Sequence, residues 1–464
     1  MAGSFGTIST ALSALQYTRV ALDAASGNVA NVGTEGYARR RVEAQTIGAP
    51  NVPAMWSRYD TVGDGVRVGG LTRMVDPFLD ARARQEHGAQ SYLDVQGAAL
   101  ARVESGINEP GDNGLAAAIS DFRSGWQDLA NNPGSSAARA QVLARAGTLV
   151  QTVAAQNRNV QAEAESQRSN VLSMVAEANT VSSDLAATNR AISVAQLNGS
   201  DASTLLDKRD TLAMRLAELT GARAVQGSQG NLDVTLNGQP LVTGAVAGTL
   251  VVASGVAPDG SADGLPVTFA VTDSSGTTAV PGSISGELGA SAQLLTTTLP
   301  DYLAGLDSVV VMLADEVNAQ HAAGFDAAGG PGAALFSYSA ADPSGSLAVA
   351  LSDPADVAAS GLPGGVLDGS NAVALGATYS AEDAYQRLVN GFGTQVASVQ
   401  RLAANQQVLT EQVDGSREQL SGVNLDEEMV NMLAAQRAYE AAAKVLSTVD
   451  SMLDTLINRT GLLR

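Results

Sequence analysis

Two histidines, one acidic turn and a large pool of carboxylates are the residues of this chain whose types could do chemistry. His87 and His321 lie far apart, and neither belongs to a His-Glu-x-x-His pattern or any other metal-ligand spacing. His321 falls near the end of a predicted helix, where a capping or solvated role is expected. Asp259-Gly260-Ser261-Ala262-Asp263-Gly264 echoes the opening of a calcium loop. The position that should hold its bidentate glutamate is Ala270, which leaves a Gly/Asp turn. Paired carboxylates can cleave glycosides, but no pair is set apart here. Asp426-Glu427-Glu428 instead suits the negative charge favoured at a helix start. No Gly-rich phosphate loop and no nucleophile elbow is present. The absence of cysteine excludes disulfides, thiolate metal sites and thiol nucleophiles. The expectation is a protein that is not an enzyme, with no catalytic residue, cofactor or metal.

The stronger pattern belongs to the elements that would position such groups. Near the N-terminus Phe5, Ile8, Leu12, Leu15, Leu22 and Val29 fall on alternating steps of three and four, with Arg19 and Ser26 in the polar slots. Near the C-terminus Leu425, Met429, Met432, Tyr439, Ala443, Leu446, Leu453 and Ile457 do the same, interrupted by Gln436 and Asp450. A sustained period of 3.5 residues marks a helix whose seam needs a partner helix. A single seam gains roughly 1.5–3 kcal/mol per buried large side chain. Ordering the backbone costs about 1–2 kcal/mol per residue. Termini that are mobile in a lone molecule and ordered among neighbours are therefore expected. The seam does not say which molecule supplies the partner helix, so an intramolecular hairpin remains the alternative.

Between these ends the 464 residues divide by pattern. Residues 1–75 read as a terminal coiled-coil helix, closed by Gly33, Gly36 and Tyr37, followed by an extended segment. Residues 76–222 read as a helical rod that restarts at Asp76-Pro77 and ends at Gly221. Within it residues 137–198 are rich in good helix formers and could span about 80–90 Å. Residues 223–290 alternate with period two around an Asn237-Gly238 hairpin and form a β-rich insert. Residues 291–323 return as a helix, and the Gly/Pro-rich residues 324–379 are expected to complete the insert. Residues 380–420 form a further rod helix, with Ser380 and Asp383 in capping-box spacing, and residues 421–464 are the terminal heptads. The fold class is multidomain α+β. A long α-helical bundle or coiled-coil rod is formed by the N- and C-terminal segments, with an inserted all-β domain placed at its far end.

Charge narrows the partners. The net charge is −20, and only Lys208 and Lys444 among the 27 basic residues are lysines. Residues 224–386 hold 16 Asp and Glu and no Lys or Arg, whereas the first 84 residues carry nine Arg against seven acids. An acidic middle repels nucleic acid and anionic lipid, so neither is expected as a partner. The near-neutral ends suit contact with protein. No apolar run approaches the roughly 20 residues that cross a bilayer. The first ten residues lack the pattern of a cleaved signal, so export would use another route.

Three segments carry a resemblance. The run from Ser26 to Arg39, Ser-Gly-Asn-Val-Ala-Asn-Val-Gly-Thr-Glu-Gly-Tyr-Ala-Arg, resembles the N-terminal signature of the flagellar rod, hook and hook-associated axial proteins. That family usually has proline where Glu35 stands, and Gly36 keeps the turn possible. Ser421-Gly422-Val423-Asn424-Leu425-Asp426-Glu427-Glu428-Met429, continued by Gln436, Tyr439, Ala442 and Val449-Asp450, is similar to the C-terminal end of one hook-associated member. The stretch from Val317 to Asp326 is similar to an internal segment of that member.

The resemblance implies a secreted, extracellular structural subunit of the bacterial flagellum, in the layer that joins hook to filament. It implies a self-assembled helical layer of about eleven copies, bordered by hook protein and hook-associated protein 3. It further implies type III export, with a chaperone holding the C-terminal helix beforehand. The residues expected at the assembly interface are Ile8, Leu12, Leu15, Leu22, Asn28, Asn31, Gly36 and Tyr37, with Asn424, Leu425, Met429, Leu433, Tyr439, Leu446, Leu453 and Ile457. The rival readings are another axial subunit of hook or rod, and a secreted adhesin or adaptor whose acidic β module binds a ligand.

Overall fold

A computed structural model describes residues 2–47, 65–227, 230–364, 367–377 and 380–455, with side chains from residue 7 onward. The chain opens with α1 (Ala2–Ala30) and an antiparallel hairpin of β1 (Arg40–Thr46) and β2 (Val66–Arg73). Then come α2 (Pro77–Ile107), α3 (Leu115–Asn131), α4 (Ser136–Leu197) and α5 (Ser203–Thr220). Asp76 caps α2, its Oδ1 accepting from the Phe78 N–H at 2.8 Å, and Pro77 takes the first turn, where its missing N–H costs nothing.

Strands β3 (Arg223–Gln226), β4 (Leu232–Leu236), β5 (Gln239–Thr243) and β6 (Val246–Ala247) form one antiparallel sheet. A second contains β7 (Thr249–Ser254), β8 (Thr268–Asp273) and β9 (Gly276–Ala279). Asn237 and Gly238, at φ +47° and +88°, turn the β4–β5 hairpin with both central residues left-handed. The calcium-like run is a turn: Asp259 Oδ1 accepts from the Ser261 N–H and Oγ–H. Helix α6 (Gly286–Gln293) passes through a π turn at Leu294–Thr298 into α7 (Leu299–Ala322). There follow β10 (Phe336–Ser337), α8 (Pro343–Ser346), β11 (Ala348–Val349), α9 (Ser370–Gly376), α10 (Ser380–Ser421) and α11 (Leu425–Asp454).

Helix α4 is the spine. Its 62 residues are unbroken, about 90 Å long, and touch each of three buried clusters in turn. Val142 and Leu149 join the first cluster, with Phe122, Trp126, Val310 and Tyr385. Val160 joins the second, with Leu100, Tyr302 and Phe392. Val171 and Leu185 join the third, with Leu216, Val234, Leu250 and Phe269. Two asparagines of α4 bond extended backbone as a neighbouring strand would. Asn179 accepts from the Leu250 N–H and donates to its carbonyl, and Asn189 does the same for Leu232.

This arrangement corrects the expected layout twice. Residues 324–377 do not complete the β insert: Leu335, Phe336, Leu347, Val357 and Leu375 fill the first cluster, against α3, α4 and α7. Their apolar side chains are buried by helices, not by the sheets. The β sheets also do not occupy the far end of the rod. They pack on the C-terminal part of α4 and on α5, close to the β1–β2 hairpin, with the α3 end opposite. Ser380 opens α10, and its hydroxyl donates to the Glu316 carboxylate on α7.

His321 is fully buried and not solvated as expected. Its Nε2 accepts from the Ala358 N–H at 2.8 Å, its Nδ1 lies 2.5 Å from the Ala333 carbonyl, and Trp126 packs edge-on against the ring. It pins the 324–360 stretch to α7. His87 bridges elements, its Nε2 lying 2.9 Å from Asp414 Oδ2 on α10.

Candidate functional site: the interlocked chain ends

Helices α1 and α11 pack antiparallel, with the end of the first against the start of the second. Both begin and end where their residues dictate. Asn424 caps α11 by accepting from the Asp426 and Glu427 N–H groups at 3.0 and 3.3 Å, and three acids occupy the first turn. Asn31 Nδ2 closes α1 by donating to the Gly27 carbonyl at 2.8 Å.

Asn28 stands at the centre of the junction and is 1% exposed. Its Nδ2 donates to the Arg40 carbonyl at 2.9 Å and to Glu428 Oε2 at 3.0 Å. Its Oδ1 accepts from the Tyr37 hydroxyl at 2.8 Å and the Arg40 N–H at 3.0 Å. Glu428, 2% exposed, receives the Arg39 guanidinium on its other oxygen at 2.8 Å, and Arg39 also reaches Glu427 at 2.9 Å. A buried carboxylate is tolerable only with such partners, and it fixes the register of one helix against the other.

The backbone of Arg39 ties the same point twice. Its N–H donates to the Ser421 carbonyl at 2.9 Å, and its carbonyl accepts from the Met74 N–H at 2.8 Å. The hairpin then clamps onto the helical domain. Arg40 and Arg73, opposite each other in register, both reach Asp207 of α5, at 3.1 and 2.8 Å, and Arg73 adds Asp210 at 2.9 Å. Gly36 turns the chain at φ +75°, where a Cβ would sit 2.3 Å from Thr211 Oγ1. A side chain there meets both strain and α5.

The heptads meet differently from the pattern first read. Ile8, Leu15, Leu22 and Val29 are half-buried within the single molecule, and the second column is Ala11, Thr18 and Ala25, all buried. On α11 the seam holds Glu428, Met432, Ala435, Ala442, Leu446, Val449 and Leu453, with Tyr439 at its edge. Small residues let the two backbones approach, and larger ones in that column would hold them apart. The column made of Leu12 and Met429 faces outward instead. Leu12 is 50% exposed, Met429 53% and Leu433 54%, and Leu425, Val430, Val445 and Met452 are also exposed. Leu425, Met429 and Leu433 follow at steps of four along one side of α11. Tyr37 and Gly36 lie in the junction, not on that outer stripe. The side chain of Phe5 and all of Ile457 lie outside the described residues.

Arg39, Arg40, Arg73, Asp207 and Glu428 were not picked out as site residues by the sequence reading. The signal for Arg39 and Glu428 was present, since each lies inside one of the two terminal motifs. Asp207 and Arg73 carried none.

The profile described as "Flagellar hook-associated protein FlgK helical domain" matches residues 100–336, a little over half of the chain. The chain belongs to the FlgK family of flagellar hook-associated proteins. Two further profiles match its ends, "Flagella basal body rod protein" over residues 8–37 and "Flagellar basal body rod FlgEFG protein C-terminal" over residues 418–459. Asn28 lies in one and Glu428 in the other, so the FlgK chain interlocks through the parts it shares with the wider axial group. Flagellar hook-associated protein 1 of Bacillus subtilis (strain 168) is 27% identical, covering 99% of this chain and 99% of the relative. The protein of that name from Escherichia coli (strain K12) is 25% identical, covering 97% and 99%. The solved structure of the flagellar hook junction protein FlgK from Burkholderia pseudomallei superposes with a TM-score of 0.63 at 18% identity. It covers 74% of this chain and all of that one, and shows a shared fold.

Proposed function

We propose that this chain is a non-catalytic building block of the flagellar axis, forming the junction layer between hook and filament by self-assembly through α1 and α11. The observation that carries this reading is the division of labour on those helices. The inner columns and the Asn28–Glu428–Arg39 lock close the pair within one molecule, while Leu12, Leu425, Met429 and Leu433 stay outside. A separate groove of about 890 Å³ lies on another face of the pair, between α1, the start of α11 and the hairpin, lined by Ala21, Ala24, Ala434 and Ala438 together with Arg39, Arg41 and Glu427. Leu425, Met429 and Leu433 form an exposed apolar stripe one turn apart on α11, the kind of surface that marks an interaction site.

The helical layer would hold about eleven copies, contacting hook protein on one side and hook-associated protein 3 on the other. Before export, the same stripe of α11 would be covered by a chaperone. The names of the relatives and the terminal profile matches support the axial setting over an adhesin or adaptor. Electron microscopy of a deletion strain tests it. The expected cell carries hooks without filaments; normal flagella would favour the adhesin reading, and loss of the hook itself would favour a rod or hook subunit.

A further inference from the structure

Arg84, in the second turn of α2, is 8% exposed, yet among the described residues no hydrogen bond or ion pair reaches its guanidinium. The nearby carboxylates are already engaged. Asp210 is held by Arg73 and Arg209, and Asp80 by Arg417. Burial outweighs the pull of Asp210 and Asp80 and holds the Arg84 guanidinium below the usual arginine range. No nitrogen of that guanidinium is among the sealed, partnerless atoms, so solvent reaches it and a ligand that paired with it would displace only water.

Arg84 stands on a wall common to two clefts, of about 850 and 830 Å³, between the start of α2 and the β sheets. The larger is lined by Arg84 and Arg223 together with Gln85, Tyr92, Thr268 and Gln293, and among the described residues no acidic side chain lines it, whereas Asp80, Asp201 and Asp210 line the other. In a chain of net charge −20 that is an unusual lining: two arginines among neutral hydrogen-bonding groups. Such a setting recognises a carboxylate, which a guanidinium binds through two parallel N–H bonds.

We propose that this cleft is a carboxylate-binding site, with Arg84 as its anchor and Arg223 as its second cation. Two sources carry that chemistry. One is a free small dicarboxylate. The other is an acidic side chain from residues 224–386 of a second copy, a stretch with 16 acids and no Lys or Arg. The second source rests on the self-assembly proposed above; the first does not.

The test uses the full chain and glutarate as probe, with sodium chloride matched for ionic strength. Glutarate should raise the melting temperature of the wild type saturably and leave Arg84→Met unmoved. Without glutarate, Arg84→Met should keep the fold, since the guanidinium makes no hydrogen bond to another described residue. Arg223→Ala, at an exposed strand start, should keep the fold and show a weaker glutarate response. Sedimentation velocity then separates the sources. If glutarate and Arg84→Met both weaken self-association, the ligand is a neighbouring copy; if association is unchanged, it is a free anion. An equal glutarate response in wild type and Arg84→Met, or none in either, would overturn the site, whatever the state of assembly.

Discussion

At the scale of single residues, one device recurs: a helical asparagine whose amide bonds both backbone groups of an extended residue. Asn28 does this to Arg40, Asn179 to Leu250, Asn189 to Leu232, and Asn318 to Phe336. Asparagine is a weak helix former, so its cost inside a helix is offset by satisfying backbone that no strand covers. Replacing Asn28 by Ala strands the Tyr37 hydroxyl and both Arg40 backbone groups and removes a donor from Glu428. The expected loss is roughly 2–4 kcal/mol of local stability, read as faster amide exchange around Arg40 and the start of α11. Unchanged exchange there would mean that water replaces the amide at no cost. Gly36→Ala should cost about 1–2 kcal/mol through its left-handed backbone alone.

His321 makes a second prediction at this scale. Burial first, and then the positive Arg139, hold its pKa below the ordinary 6.5, against the opposing pull of the Ala333 carbonyl. The folded form thus binds its proton less readily than the unfolded form. The stabilisation is complete above about pH 6.5 and is lost as pH falls through the lower folded pKa. Acid should loosen the cluster around Trp126 first, followed by its fluorescence. His321→Gln should be less stable at neutral pH and lack that part of the pH dependence. The histidine's solitude was legible from sequence. Its burial was not, because the groups it bonds are backbone at Ala333 and Ala358, and backbone partners leave no mark on residue identity.

At the scale of elements, periodicity placed both terminal helices, but one column of each faces outward and not into the seam within the molecule. Counting large apolar residues favours Leu12 and Met429 for the seam; the helices chose Ala11, Thr18, Ala25, Ala435 and Ala442 instead. Alanines read as filler in a pattern search, although they permit the closest approach. The long α4 and the Asn237-Gly238 hairpin were legible because composition and turn chemistry act locally. The seam of small residues buries little, and of α11 only Glu428 and Ala442 are fully buried. Amide exchange in the dilute monomer should therefore be graded. Protection is expected near Asn28 and Glu428, falling toward Ile8 and Leu453 at the other end of the pair. Uniform strong protection along both helices would show that the pair needs no neighbour.

At the scale of the whole molecule, the chain returns to one point. Hairpin, α5, α10 and α11 all meet at Arg39 and Arg40, and the β sheets stand beside that junction, not at the opposite end. Residue order alone favoured a distal insert, since an insertion in the middle of a chain reads as the tip of a rod. The turn-back at α5 reversed this, through Asp207 and Asp210, whose pairing with Arg40 and Arg73 joins segments far apart in sequence. A lock that close to the assembly helices sets their direction relative to the body of each subunit. The outer stripe can then be removed without touching the lock. The most direct measurement is electron microscopy of cells whose only copy carries Met429→Asp and Leu433→Asp, alongside the melting curve of the purified variant. A wild-type melting curve with hooks that bear no filament is the predicted result, and full filaments on swimming cells would contradict it.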